Sequence, residues 1–136
     1  MPEWEVLFVN NPADDYALTM EFWFGDEQMA VVRRQGKSLF VDLYGTGRSP
    51  VVIPLDWLIE QLQAIQRDAS EKGNSKRMGI CYEGQTVATV EGQLEDLGLY
   101  LYGTGRKSVV VSLDWLLQNL KIGREDLLKG VDHRRV

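Results

Sequence analysis

An α+β fold built by tandem duplication of a small antiparallel β-meander followed by an amphipathic helix is expected here, on three observations. Residues 43–62, LYGTGRSPVVIPLDWLIEQL, recur as residues 101–120, LYGTGRKSVVVSLDWLLQNL, at an offset of 58 with 13 of the 20 positions identical. Upstream of each copy lie short segments rich in aromatic and β-branched residues, which suit a pleated, half-buried surface. Downstream, leucines recur at helical spacing. The units are residues 1–70 and 71–136. A unit of about 58 residues buries too little of its surface to be secure alone, so the two are expected to share a core within one compact domain.

Taken in order, residues 20–24 (MEFWF) align without gaps over 78–82 (MGICY), and 29–32 (MAVV) over 87–90 (VATV). Gly25 with Asp26, and Glu83 with Gly84, supply turn residues between these segments, which therefore read as hairpins. Residues 38–44 and 97–102 approach the Gly-Thr-Gly element as strands, and 51–53 and 109–111 leave it as strands. The first helix is marked by Leu55, Leu58, Ile59, Leu62 and Ile65, the second by Leu113, Leu116, Leu117 and Leu120. Ser112 is placed to cap the second helix, and Asp56 and Asp114 sit in first turns, where the helix dipole favours an anion. One apolar stripe per helix is expected to cover one sheet. The polar stretch 68–76 reads as a linker, and residues 124–129 as a short additional helix before a frayed tail containing His133. Cys81 reads as a small core residue within a strand.

Composition narrows the functional classes. With 44% apolar and 26% charged residues, the chain belongs with soluble globular proteins. No apolar run approaches the roughly 20 residues that span a bilayer, and the opening residues lack the pattern of a secretory signal, so a cytoplasmic, membrane-free location is expected. A single cysteine and a single histidine provide neither a disulfide nor a zinc framework, and no cofactor or metal is expected. Charge is unevenly shared. Residues 1–70 hold 11 acids and 5 bases, net −6, whereas residues 71–136 hold 9 acids and 10 bases, net +1. A partner attracted by charge would be basic and would favour the first unit; the same sign opposes duplex nucleic acid.

Two repeated elements raise functional questions. In Tyr-Gly-Thr-Gly-Arg, Tyr44 and Arg48 recur as Tyr102 and Arg106. Glycines flanking a threonine suit a hairpin turn, and the same backbone can present N–H groups to an anion held by the forked arginine. The element lacks the Gly-Lys-Ser/Thr ending of a phosphate-binding P-loop and the spacing of a dinucleotide fingerprint. In Leu-Asp-Trp-Leu, Trp57 and Trp115 fall on the far side of their helices from the leucine stripe and need another surface. That surface is the sister unit, a second subunit of a homodimer, or a protein partner anchored on the indole. Catalysis has little support: His133 has no local carboxylate or nucleophile beside it, and the only repeated carboxylates, Asp56 and Asp114, would have to meet across a pseudo-twofold axis.

The order of a hairpin, a strand at 38–44, a short Val-Val-Ile-Pro strand and a helix beginning Leu-Asp-Trp-Leu resembles that of small bacterial immunity proteins that neutralise polymorphic toxins. That resemblance covers mostly residues 20–65, and less distinctly 78–120. It implies a small, cytosolic, non-catalytic protein that binds a toxin domain and blocks it. On this basis the leading expectation is a protein-binding module that uses the acids of the first unit, Asp14, Asp15, Glu21, Asp26 and Glu27, together with Trp57 and Trp115, to attract and cover a basic, nuclease-like toxin. Two alternatives come from other classes. One is nucleotide or single-stranded nucleic-acid binding through Tyr44, Arg48, Tyr102 and Arg106. The other is a self-associating structural or regulatory protein with the tryptophans at its interface.

Overall fold

The computed structural model describes residues 4–11, 17–44, 51–72, 76–92, 97–101 and 109–129. The first unit is a five-stranded antiparallel meander, β1 (Trp4–Asn11), β2 (Ala17–Phe24), β3 (Glu27–Gln35), β4 (Ser38–Leu43) and β5 (Val51–Pro54), which runs into helix α1 (Leu55–Lys72). The second unit forms its own four-stranded sheet from β6 (Lys76–Tyr82), β7 (Gln85–Gly92), β8 (Gly98–Leu101) and β9 (Val109–Ser112), followed by α2 (Leu113–Leu128). Strands pair in sequence order throughout, as short hairpin connections require. The molecule is thus the duplicated meander-plus-helix α+β fold that the repeat implies.

The duplication extends to details of the backbone. The register shifts between Phe22 and Trp23 on β2 and between Ile80 and Cys81 on β6, which are equivalent positions in the repeat. Such a bulge strengthens local twist and re-aims the side chains that follow it. The β6–β7 turn is tightened by Glu83 and Gly84, with φ of 51° and 83°. Two successive positive φ values match the twist of the flanking strands, which is why an Xaa-Gly pair closes this hairpin. Helix α2 begins at Ser112, whose hydroxyl oxygen accepts a hydrogen bond from the Trp115 backbone N–H at 3.3 Å, as the N-cap reading anticipates.

Alternation along each strand builds an inner and an outer face. On the first sheet Met20, Phe22, Ala30, Val32, Val41 and Ile53 share the inner face and are buried. Their counterparts Ile80, Ala88, Val90 and Val111 are buried in the second unit. These residues, with Leu55, Leu58, Ile59 and Leu62 of α1 and Leu113, Leu116, Leu117 and Leu120 of α2, form one continuous apolar cluster. Neither unit has a core of its own.

How the core is shared departs from the one-helix, one-sheet expectation. Helix α1 packs on β4 and β5 of its own sheet but also on β6, while α2 packs on β9 and on β2 and β3 of the other sheet. The helices run antiparallel against each other, because Asp56 in the first turn of α1 meets Arg124 of α2 at 3.1 Å and Asp114 in the first turn of α2 meets Gln66 of α1 at 3.4 Å. Gln66 and Arg124 are themselves equivalent in the repeat. The exchange is reciprocal, as for two copies related by an approximate twofold axis. It also removes the idea of paired catalytic carboxylates: Asp56 and Asp114 lie at opposite ends of the helix pair.

Helix α2 approaches the first sheet closely enough that a Cβ on Gly123 would overlap the Met20 sulfur. The equivalent position on α1 is Ile65, which is buried, while Met78, the counterpart of Met20, is 38% exposed. The tighter contact is therefore between α2 and the first sheet, and glycine permits it.

Three other expectations are corrected, and one strand lies outside the repeat. β1 has no counterpart in the repeat and was not foreseen; it pairs along β2 from Trp4 opposite Phe24 to Asn11 opposite Ala17. Of the polar stretch 68–76, residues 68–72 are helix, since α1 continues to Lys72, where Glu71 and Lys72 are better helix formers than linker residues. Residues 124–128 belong to α2 rather than to a separate helix, because Gly123 stays within the helix when buried against Met20. Cys81 is exposed, its sulfur 3.4 Å from the Thr86 hydroxyl, because strand alternation turns it to the outer face while Ile80 takes the core position. His133 lies outside the described residues.

Candidate functional site

The two repeated tryptophans pack against rings of the sister unit. Trp57 on α1 packs on Tyr82 of β6 at 4.9 Å between ring centroids, nearly edge to face. Trp115 on α2 packs on Phe22 at 6.0 Å and on Trp4 at 6.1 Å, and Trp4 in turn lies 5.3 Å from Phe24. Each indole thus seals its helix against the sister unit, the tilted geometries being those that aromatic quadrupoles favour. The Trp4 indole N–H also donates to the Val110 carbonyl at 2.8 Å, tying β1 to β9. Both tryptophans are half-buried, with these ring contacts made inside the chain.

Among the acids of the first unit, Asp26 and Glu27 are exposed at the β2–β3 turn and Glu21 is half-buried on β2. Asp14 and Asp15 lie outside the described residues. So do Arg48, Tyr102 and Arg106, which leaves Tyr44 as the described member of the paired turns.

Tyr44 leads to a cluster on the outer face of the first sheet, the face turned away from the helices. Cross-strand register places Glu21, Val31, Asp42 and Val52 in one row and Arg33, Phe40 and Pro54 in the next. The Arg33 Nε donates to Asp42 Oδ2 at 2.7 Å, its Nη1 donates to Gln35 at 3.2 Å, and its guanidinium lies 5.6 Å from the centre of the Phe40 ring. The Trp23 indole N–H donates to Glu21 Oε1 at 2.9 Å. Asp42 is only 7% exposed, and its second oxygen, Oδ1, is buried without a hydrogen-bond partner. Leaving a buried acceptor unsatisfied costs on the order of 1–3 kcal/mol. The fold tolerates that cost at the centre of this face.

Tyr44 belongs to the same cluster. Burial, then the negative charges of Asp42 and Glu21, push its hydroxyl above the usual tyrosine range, with Arg33 opposing them. A phosphate at Tyr44 would meet the same two carboxylates, which weighs against the nucleotide reading. What the cluster presents at the surface is Glu21, a half-buried carboxylate, with the rings of Trp23, Phe40 and Tyr44 on the same face. That chemistry suits a guanidinium or ammonium group.

The second unit does not repeat this face. Glu21, Trp23, Arg33, Phe40 and Asp42 are replaced by Gly79, Cys81, Glu91, Gly98 and Tyr100. Of the cluster, sequence reasoning had singled out Glu21 and Tyr44 and had missed Trp23, Arg33, Phe40 and Asp42. A usable signal was present: on each strand these residues share one parity, and they diverge where the apolar parity is kept.

Among the described residues no group of three or more His, Cys, Asp or Glu side chains is arranged to hold a metal ion. A cavity between the sheets and helices, lined by Phe22, Val41, Leu58, Val87, Leu116 and Leu120 among others, measures about 20 Å³ and is wholly apolar. It has room for about one water and no polar group to hold it, so it is a packing void rather than a ligand site. No described helix is long and apolar enough to cross a membrane. No protein-family model, curated protein or solved structure matches this chain.

Proposed function

We propose that this chain is a non-enzymatic protein-binding module of the immunity or inhibitor type, which engages a basic toxin-like domain through the outer face of its first sheet and the adjoining β2–β3 turn. The observation that carries this reading is the outer-face cluster on the unit that holds the acidic excess: Arg33 paired with the buried Asp42 and lying over the Phe40 ring, Tyr44 in the field of both charges, and Trp23 bonded to Glu21. Trp, Tyr and Arg are the residue types that dominate binding hot spots. Exposed Asp26 and Glu27 add negative charge beside that surface, where it accelerates encounter with a cationic partner. The element order shared with immunity proteins of polymorphic toxins adds to this support.

The test is affinity capture by the tagged protein from a lysate of its own cells, with mass spectrometry of what binds, repeated with Trp23→Ala and with Asp26→Lys plus Glu27→Lys. The expected result is a stoichiometric basic protein. Trp23→Ala weakens its binding about tenfold or more through faster dissociation, and the charge reversal slows association mainly at low salt. Capture of an acidic protein, or of a basic one indifferent to all three substitutions in folded variants, would overturn the reading.

A further inference from the structure

The first sheet ends on β1, and among the described residues no strand pairs with its outer edge. Edges of this kind present unpaired backbone N–H and C=O groups, and soluble proteins blunt them with charge, proline or a bulge. β1 has none of these at its centre. It contains no proline, its register on β2 is unbroken, and its one charged residue, Glu5, lies towards one end. At the centre stand Leu7, Phe8 and Val9, exposed by 43, 41 and 36%. Three consecutive exposed apolar residues occupy both faces of a bare edge.

We propose that β1 pairs antiparallel with β1 of a second copy across a twofold axis at Phe8, joining two five-stranded sheets into one of ten strands. The register follows from symmetry. A twofold axis normal to a sheet keeps each face on its own side, so a residue can sit opposite only one of its own parity. With the axis at Phe8, Phe8 faces the partner's Phe8, Leu7 faces the partner's Val9, Val6 faces the partner's Asn10 and Glu5 faces the partner's Asn11. Every exposed apolar residue of β1 is then covered by another, and no like charges meet. With the axis at Leu7, Glu5 would face the partner's Val9, pressing a carboxylate against an apolar side chain. The homodimer that the sequence left open through Trp57 and Trp115 is placed instead on a strand outside the repeat, because both indoles make ring contacts within the chain. The twofold leaves the two Asp42 clusters on the same side of the joined sheet.

The full chain, without any partner, tests this by light scattering and sedimentation equilibrium across a wide concentration range. The expected mass at high concentration is twice 15.5 kDa. Phe8→Lys, checked for folding by circular dichroism, raises the dissociation constant about tenfold or more. Val52→Lys, which alters an equally exposed residue on the opposite edge strand, leaves it unchanged. Should Phe8→Lys fail to fold, register decides: in a Cys81→Ser background, Phe8→Cys forms a disulfide dimer on mild oxidation, because opposite Cα atoms about 4.5–5.5 Å apart lie in disulfide range. Glu5→Cys in that background does not. A monomer at every concentration, a folded Phe8→Lys dimer of undiminished affinity, or crosslinking of Glu5→Cys instead of Phe8→Cys would overturn the proposal. None of these outcomes depends on the toxin-binding reading.

Discussion

The inner and outer faces of the two sheets have diverged at different rates. On the inner face the first unit's Phe22, Ala30, Val32 and Ile53 are matched by Ile80, Ala88, Val90 and Val111, all buried. On the outer face, Glu21, Trp23, Arg33, Phe40 and Asp42 are matched by Gly79, Cys81, Glu91, Gly98 and Tyr100, of which none keeps its type. Interior positions are constrained from both sides, because each helix packs on both sheets and any loss of volume is felt in both units. The outer faces are free of that constraint. The first of them carries a buried charge pair with an unpartnered oxygen.

The largest effect should come from breaking the shared interior. Phe22→Ala is expected to cost about 3–5 kcal/mol, and its counterpart Ile80→Ala about 2–5 kcal/mol. Because the core is one cluster, both should shift a single denaturant transition seen alike by circular dichroism and tryptophan fluorescence. Two separable transitions, each moved by only one substitution, would mean that the units are independent.

Next in size is the charged pair of the outer face. Arg33→Ala is expected to cost about 2–3 kcal/mol, less than for a fully buried pair because the arginine side chain is 32% exposed. The double variant Arg33→Met with Asp42→Leu should recover most of that loss, since apolar packing replaces a buried pair at little cost. Binding to the captured partner should not recover. If the double variant were no more stable than Arg33→Ala, the pair would be structural, and the contrast with the second unit would concern stability rather than recognition.

The smallest effect is electrostatic. The hydroxyl of Tyr44 is held above its ordinary value near 10 by burial, Asp42 and Glu21. A folded-state value above the unfolded one means that the native state holds its proton longer, so the associated stability is complete below about pH 10 and is lost as pH rises through the folded value. In an ultraviolet titration Tyr44→Phe should remove a late-ionising component and flatten the alkaline fall in stability. A titration unchanged by Tyr44→Phe would detach this residue from the cluster.

Much of this architecture could be read from the chain. The duplicated passage implies two similar units, and the change of apolar period from two to helical spacing at Leu55 and Leu113 marks where strand becomes helix. β1 escaped because it lies outside the repeat and because Leu7-Phe8-Val9 is a continuous apolar run without alternation. The site was legible only in part. Glu21 and Tyr44 stood out, the first by charge and the second through the repeated turn, but Arg33 and Asp42 meet only because β3 and β4 pair, and Trp23 joins them through Glu21.

The chain by itself determined the local order of the molecule: a meander, a capped helix, and the same again, because alternation, turn chemistry and capping act over a few residues. Tertiary structure alone decided that each helix bridges both sheets, that Trp57 and Trp115 are spent on the sister unit, and that Asp42 is buried with one oxygen unpartnered. Those outcomes depend on which surfaces are left to cover once both units are present. A stripe of leucines says that a helix must be buried, but which sheets bury it is settled by the competition between its own unit and its neighbour for the same apolar area.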